Sequence, residues 1–133
     1  MTVEVHLVTP EREVWTGDVQ MLIAHGTDGD VGILGGHAPL LVQLEIAPLR
    51  LQLDDGSWMR AVVDGGFLHV STDAGRTRAD VLATFAELAG EIDVEAARER
   101  LAEAERVAAA VDGDDAVAGA EIAKAQARIS VAG

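Results

Sequence analysis

Four histidines, two adjacent aspartates and three serines are the side chains here whose types would suit metal binding, acid–base work or nucleophilic attack. His6, His25, His37 and His69 show no HxH or HxxxH spacing, the separations that place two imidazoles on one strand or helix face, so a metal site would need ligands from remote strands. Asp54 and Asp55 precede Gly56, and Asp-Asp-Gly forms turns; a glycosidase pair must instead face each other across a substrate. Ser57, Ser71 and Ser130 lie outside any nucleophile-elbow sequence, and the absence of cysteine excludes disulfides and thiolate chemistry. Asp28 and Asp30 open like a calcium loop, but the twelfth position, which needs a bidentate glutamate, is Pro39. No Gly-Lys-Ser/Thr ending supports a phosphate loop. No catalytic, metal or cofactor site is expected.

The stretch that remains is Asp28 to Leu41, DGDVGILGGHAPLL. Its glycines and Pro39 turn the chain sharply, and Val31, Ile33, Leu34, Leu40 and Leu41 are too apolar for a solvated loop and too few for a helix. A turn carrying apolar side chains reads as a docking edge, or as a structural turn with a buried plug. For His37, a bond to the turn backbone and a contact to a partner both fit.

Composition narrows the partner. The chain has 133 residues with 49% hydrophobic and 3% aromatic content, which suits a compact aliphatic core, and no apolar run approaches the roughly 18 residues needed to cross a bilayer. The N-terminus lacks a signal-peptide pattern. Ten basic against 23 acidic residues give a net charge of −13, spread over both halves without a basic face. Phosphate neutralisation supplies most nucleic-acid affinity, so nucleic acid and direct anionic-lipid binding are not expected. A protein partner is.

From Val3 to about Ala83 the pattern has period two: Val3, Val5 and Leu7 alternate with Glu4 and His6, Leu49, Leu51 and Leu53 with Arg50 and Gln52, and Met59, Ala61 and Val63 with Trp58, Arg60 and Val62. Turn signals fall at 9–11, 16–18, 54–56, 64–66 and 73–75. An antiparallel β-sandwich over residues 1–85 is expected, with some of Trp15, Trp58, Phe67 and Phe85 in its core. Phe85 to Ile92 reads as a connection. Asp93 then suits a helix N-cap, and Val94, Ala97, Leu101, Ala104, Ala108 and Val111 form one face, with Glu95–Arg98 and Glu103–Arg106 pairing at i, i+3. Gly113 suits a left-handed C-terminal cap, Asp114 or Asp115 a second N-cap, and Ala118, Ile122, Ala125 and Ile129 a second inner face. The fold class is α+β: an N-terminal antiparallel β-sandwich followed, over 86–133, by an antiparallel two-helix hairpin. Its seam is mostly alanine, each burying little at about 25 cal/mol/Å², so the hairpin leans on the sandwich and detaches at modest cost.

Gly29 to Leu41 resembles the signature of the epsilon subunit of bacterial F-type ATP synthases, an acidic residue, then Gly-Ile-Leu, a proline, and His-Ala-Pro-Leu-Leu. Gly35 stands where that family usually has proline. Gly65 to Val70, Asp80 to Ala83, Glu91-Ile92-Asp93 and Ala120 to Ala125 are also similar to that family, so the resemblance covers nearly the whole chain. It implies a noncatalytic central-stalk subunit at the cytoplasmic face of the bacterial membrane, associated with the membrane only through the complex. Its partners would be the gamma subunit and the c-ring, with the alpha/beta catalytic head as a further contact. The ring-facing residues it implies are Asp30, Val31, Gly32, Ile33, Leu34 and His37, the gamma-facing ones Thr9 and Val42, and the cations facing the head Lys124 and Arg128. Many bacterial family members also restrain ATP hydrolysis through these helices, and some bind ATP there; here the tail is net acidic and offers few cations, chiefly Lys124 and Arg128, so weak or no restraint is expected. Here Ala96 replaces the arginine of the Ile/Leu-Asp-x-x-Arg-Ala pattern and no arginine lies near Val117, so no useful ATP affinity is expected. Two rivals lack their signatures: a free-standing sandwich that binds sugar or peptide would show exposed aromatics, and a cupin-like metalloenzyme clustered histidine and glutamate.

Overall fold

A computed structural model describes residues 1–111, 113 and 115–132. Period-two alternation produces eight strands: β1 Val3–Val8, β2 Glu13–Val19, β3 Met21–Gly26, β4 Gly29–Leu34, β5 Leu40–Gln52, β6 Trp58–Asp73, β7 Arg76–Ala83 and β8 Ala86–Leu88. A 3-10 turn at Ala89–Glu91 leads to helices α1 Val94–Ala109 and α2 Ala116–Ala132. The strands form one hydrogen-bonded sheet ordered β2-β1-β7-β6-β5-β3-β4, with β8 beside β6. All pairs are antiparallel except β1 with β7, which run parallel.

The sheet folds over its two longest strands. The β5–β6 register passes from Leu44 opposite Gly66 to Ile46 opposite Asp64, leaving Glu45 and Gly65 out of the ladder. Asp64-Gly65-Gly66, expected as a turn between strands, therefore sits inside β6 as a bend. Gly66 has φ +129°, and a Cβ there would collide with the Leu82 carbonyl, so only glycine lets β6 pass β7 this closely. Thr16-Gly17-Asp18 is also strand rather than turn: it belongs to β2, with the Trp15 ring lying over Gly17, where a Cβ would be 2.7 Å from the indole. The other turn signals do reverse the chain. Thr9 Oγ1 accepts the N–H groups of Glu11 and Arg12 at 3.3 and 3.2 Å, and Ala74 and Gly75, at φ 51° and 78°, form the two-residue loop between β6 and β7.

The folded sheet encloses Val3, Val5, Leu7, Leu49, Leu51, Leu68, Val70 and Val81, each 0% exposed. No aromatic side chain is fully buried. Trp15 packs at the edge of the core, while Trp58, Phe67 and Phe85 are exposed, because branched aliphatics alone fill the narrow space between the layers. Val62 is buried although its parity points it away from this core, because α2 covers the outer side of β6, where Val62, Ala127 and Val131 meet Ile46, Ala89 and Ile92.

The stretch expected as a plain connection contains β8, whose Ala86, Glu87 and Leu88 pair with Val63, Val62 and Ala61. Asp93 caps α1, its carboxylate accepting the Ala96 N–H at 3.0 Å. Asp115 caps α2 by accepting the N–H groups of Val117 and Ala118 at 3.0 and 3.1 Å; Asp114, the alternative cap, lies outside the described residues. Gly113 has φ 97°, but the C-cap of α1 is Ala110, so the left-handed residue belongs to the loop rather than the cap.

Candidate functional site

The Asp28–Leu41 stretch forms strand β4 and the turn after it, at one end of the sheet order. Alternation sorts its side chains: Asp30, Gly32 and Leu34 face outward, whereas Val31 is half-buried and Ile33 fully buried. Of the six residues implied to face the ring, Ile33 therefore contributes as a core anchor without reaching the surface. Leu34 is 55% and Leu41 65% exposed, leaving apolar groups on both sides of the turn. Asp30 lies opposite His25 in the register, its carboxylate 2.5 Å from His25 Nδ1.

The turn itself is braced. The His37 N–H donates to the Leu34 carbonyl at 3.0 Å, and Gly36, at φ +87°, donates its N–H to Thr77 Oγ1 at 2.7 Å, tying the turn to β7. His37 is half-buried, with Nδ1 2.7 Å from the Ala38 carbonyl, so the turn-backbone bond is made.

A second apolar surface lies on the outer face across β1, β7 and β6. Val8, Leu82 and Phe67 form one cross-strand row, in which Leu82 is 51% and Phe67 48% exposed. They border a shallow cleft of about 430 Å³ shared with Thr9, Pro10 and Gly66. Thr9 is buried because its hydroxyl holds the 9–12 turn, and Val42 lies opposite buried Leu68 with Cγ1 against Gly26. The two residues implied to face gamma thus shape this end of the sandwich, while Phe67 and Leu82 offer the exposed area. Sequence reasoning passed over both, although each is a large apolar residue on the polar parity of its strand.

The hairpin is held by a charged cluster. Arg128 on α2 donates to both carboxylate oxygens of Asp64 at 2.9 and 2.8 Å, to Glu87 at 2.8 Å and to the Lys124 carbonyl at 3.0 Å. Its guanidinium lies 5.5 Å from the Phe85 ring centroid. Burial by itself would lower its pKa, but the bonds to Asp64 and then Glu87 outweigh that and raise it. Lys124 pairs with Glu121 at 3.4 Å and remains partly exposed. Of the two cations implied to face a catalytic head, Arg128 is thus committed inside the molecule while the hairpin is folded. A second tie joins Arg12 to Glu91 through two bonds of 3.0 and 2.9 Å. The Arg12 bond, helped by the Leu88 N–H, holds the Glu91 carboxyl below its ordinary value.

Among the described residues, no three His, Cys, Asp or Glu side chains gather to hold a metal ion, and no helix is long and apolar enough to cross a membrane.

Residues 2–89 match the family profile described as the ATP synthase delta/epsilon chain β-sandwich domain. The ATP synthase epsilon chain of Brevibacillus brevis is 46% identical over 103 residues, covering 75% of this chain and 74% of that one. The epsilon chain of Thermobifida fusca is 42% identical over 130 residues, covering 96% and 90%. A chain in the Euglena gracilis mitochondrial ATP synthase structure containing OSCP, F1 and the c-ring superposes with a TM-score of 0.74 at 26% identity, covering 93% of this chain and 76% of that one. A chain of the Tetrahymena thermophila central stalk and c-ring shares the fold, with a TM-score of 0.57 at 18% identity.

Proposed function

Because the chain belongs to the family of ATP synthase epsilon chains, we propose that it is a noncatalytic rotor subunit, seated in the central stalk between the gamma subunit and the membrane ring of c subunits. The observation that carries this reading is the match to the Thermobifida fusca chain, which runs through sandwich and hairpin alike. In that seat the chain lies at the cytoplasmic face of the membrane, held there by its protein partners.

The two apolar surfaces suit the two contacts. The β4 edge and its braced turn face the c-ring, with Asp30 supplying charge and Leu34 contact area. The row of Val8, Leu82 and Phe67, beside the Thr9 turn, faces gamma. Torque then passes through a stiff sheet rather than through loops. Folded against the sandwich, the hairpin keeps Arg128 away from the catalytic head; released, it would present Arg128 and Lys124, few cations on a net-acidic tail, so restraint of hydrolysis is at most weak.

Reversing the Asp30 charge tests the ring contact. Asp30→Arg should lower ATP-driven proton pumping by membrane vesicles several-fold while ATP turnover persists. Normal pumping with the variant incorporated would remove Asp30 from the contact.

A further inference from the structure

Of the ten basic residues, seven have a carboxylate partner; Arg50, Arg60 and Arg100 have none among the described residues. Two of those three stand directly opposite each other, Arg50 on β5 and Arg60 on β6. Residues opposite in an antiparallel pair share a face with Cβ atoms about 5 Å apart, and like charges placed so repel and destabilise the sheet. In a chain carrying 23 acidic residues, leaving two guanidinium groups adjacent and without an ion pair among the described residues is a local electrostatic cost that the fold itself does not need.

The surroundings are those of a contact surface. The Arg50 guanidinium sits 6.0 Å from the ring centroid of Trp58, which is 44% exposed. Arginine and tryptophan are the residue types most enriched among side chains that dominate binding energy at protein interfaces. Both arginines line an open cleft of about 530 Å³, walled by Ile23 and Pro48 and reached by Ser130 from the last turn of α2.

We propose that Arg50, Arg60 and Trp58 form a docking point for a carboxylate-bearing polypeptide segment of a neighbouring subunit, a proposal that rests on the central-stalk reading above. A carboxylate accepts the planar fork of a guanidinium through two parallel bonds, and two opposed forks hold two acidic side chains or one between them. A small free anion fits less well. The cleft is open, Asp30 also lines it, and the net charge of −13 repels dissolved anions. A segment tethered within the same complex meets the arginines at millimolar effective concentration, which overcomes that repulsion.

The test uses the full chain and synthase depleted of this subunit. The Arg50→Gln/Arg60→Gln variant should rebind at least about tenfold more weakly than wild type in about 50 mM salt, and the difference should close in about 500 mM salt. The same variant should melt no lower than wild type, because the like-charge pair is gone. A photo-crosslinking residue at position 58 should attach to an Asp/Glu-rich peptide of a neighbouring subunit. Equal rebinding at low salt, or attachment to a peptide without acidic residues, would overturn the docking point. So would inorganic phosphate shifting the Arg50 and Arg60 side-chain NMR signals in the isolated wild-type chain, which would assign the pair to a small anion. Failure of the wild-type chain to rebind at all would instead overturn the stalk reading.

Discussion

Replacing Arg128 by methionine removes the charge that joins the hairpin to the sandwich while keeping most of the aliphatic stem. Its partners then become the problem: Asp64 and Glu87, with side chains 7% and 20% exposed, face each other without a cation. Removing one partner of a buried ion pair costs about 3–5 kcal/mol, mostly through the charge left behind, and the partial hydration of Glu87 places this case near the lower end. Against that stands a small apolar contact, in which Val131 is the largest fully buried side chain from α2 and contributes about 2 kcal/mol. The loss is therefore comparable to the whole attachment. Amide hydrogen exchange should report it as acceleration through α2 by about 100-fold or more, or up to the unprotected rate, while β1, β5, β6 and β7 change much less. Adding Asp64→Asn and Glu87→Gln should restore much of the protection, since no charge is then stranded. Unchanged exchange in α2 would refute the reasoning, as would equal acceleration in helix and sheet.

Three further outcomes are expected. Ala74→Asn should raise the melting temperature by about 2–4 °C, because Asn tolerates the positive φ of the β6–β7 loop and Asn-Gly suits a turn with both central residues there; a lower value by circular dichroism would count against it. Gly66→Ala should cost at least about 2 kcal/mol in urea unfolding, since its Cβ meets the Leu82 carbonyl, and a near-neutral variant would mean that β6 can shift. Glu91 should titrate below the 4.5 of an ordinary glutamate, so its tie to Arg12 contributes at pH above about 4.5 and is lost as the pH falls through the lower folded value; Arg12→Gln should move the NMR titration midpoint upward, and coincident midpoints would refute the pairing.

Local pattern accounts for what was legible. Val3, Val5 and Leu7 alternate with polar residues and are buried as alternation requires, and Asp93 caps α1 because a carboxylate three residues before a free N–H needs no tertiary help. Where reading failed, a neighbour remote in sequence decided the geometry. Asp64-Gly65-Gly66 looks like a turn, but β5 and β7 flank it on both sides and make it a bend within a strand. Three residues were too few for β8 to show a period. Arg128 reads as an exposed cation because its partners lie 41 and 64 residues away. At the candidate site, the outward parity of Asp30, Gly32 and Leu34 was available from alternation, whereas the exposed row of Phe67 and Leu82 required knowing that β7 runs between β6 and β1.

The parallel pairing of β1 with β7 bears on how the chain reaches this state during synthesis. Val3 pairs with Thr77 and Val8 with Leu82, so β1 must wait for a strand made about seventy residues later before its second edge is filled. Meanwhile β1 can pair with β2, and β3 to β6 can assemble among themselves, but each part keeps an open apolar face. Closing a loop of some seventy residues is entropically slow, though the penalty grows only logarithmically with length. Emergence of β7 is thus the commitment step: before it, two half-built sheets are exposed to wrong partners, and after it the sandwich closes while the helices are still being made.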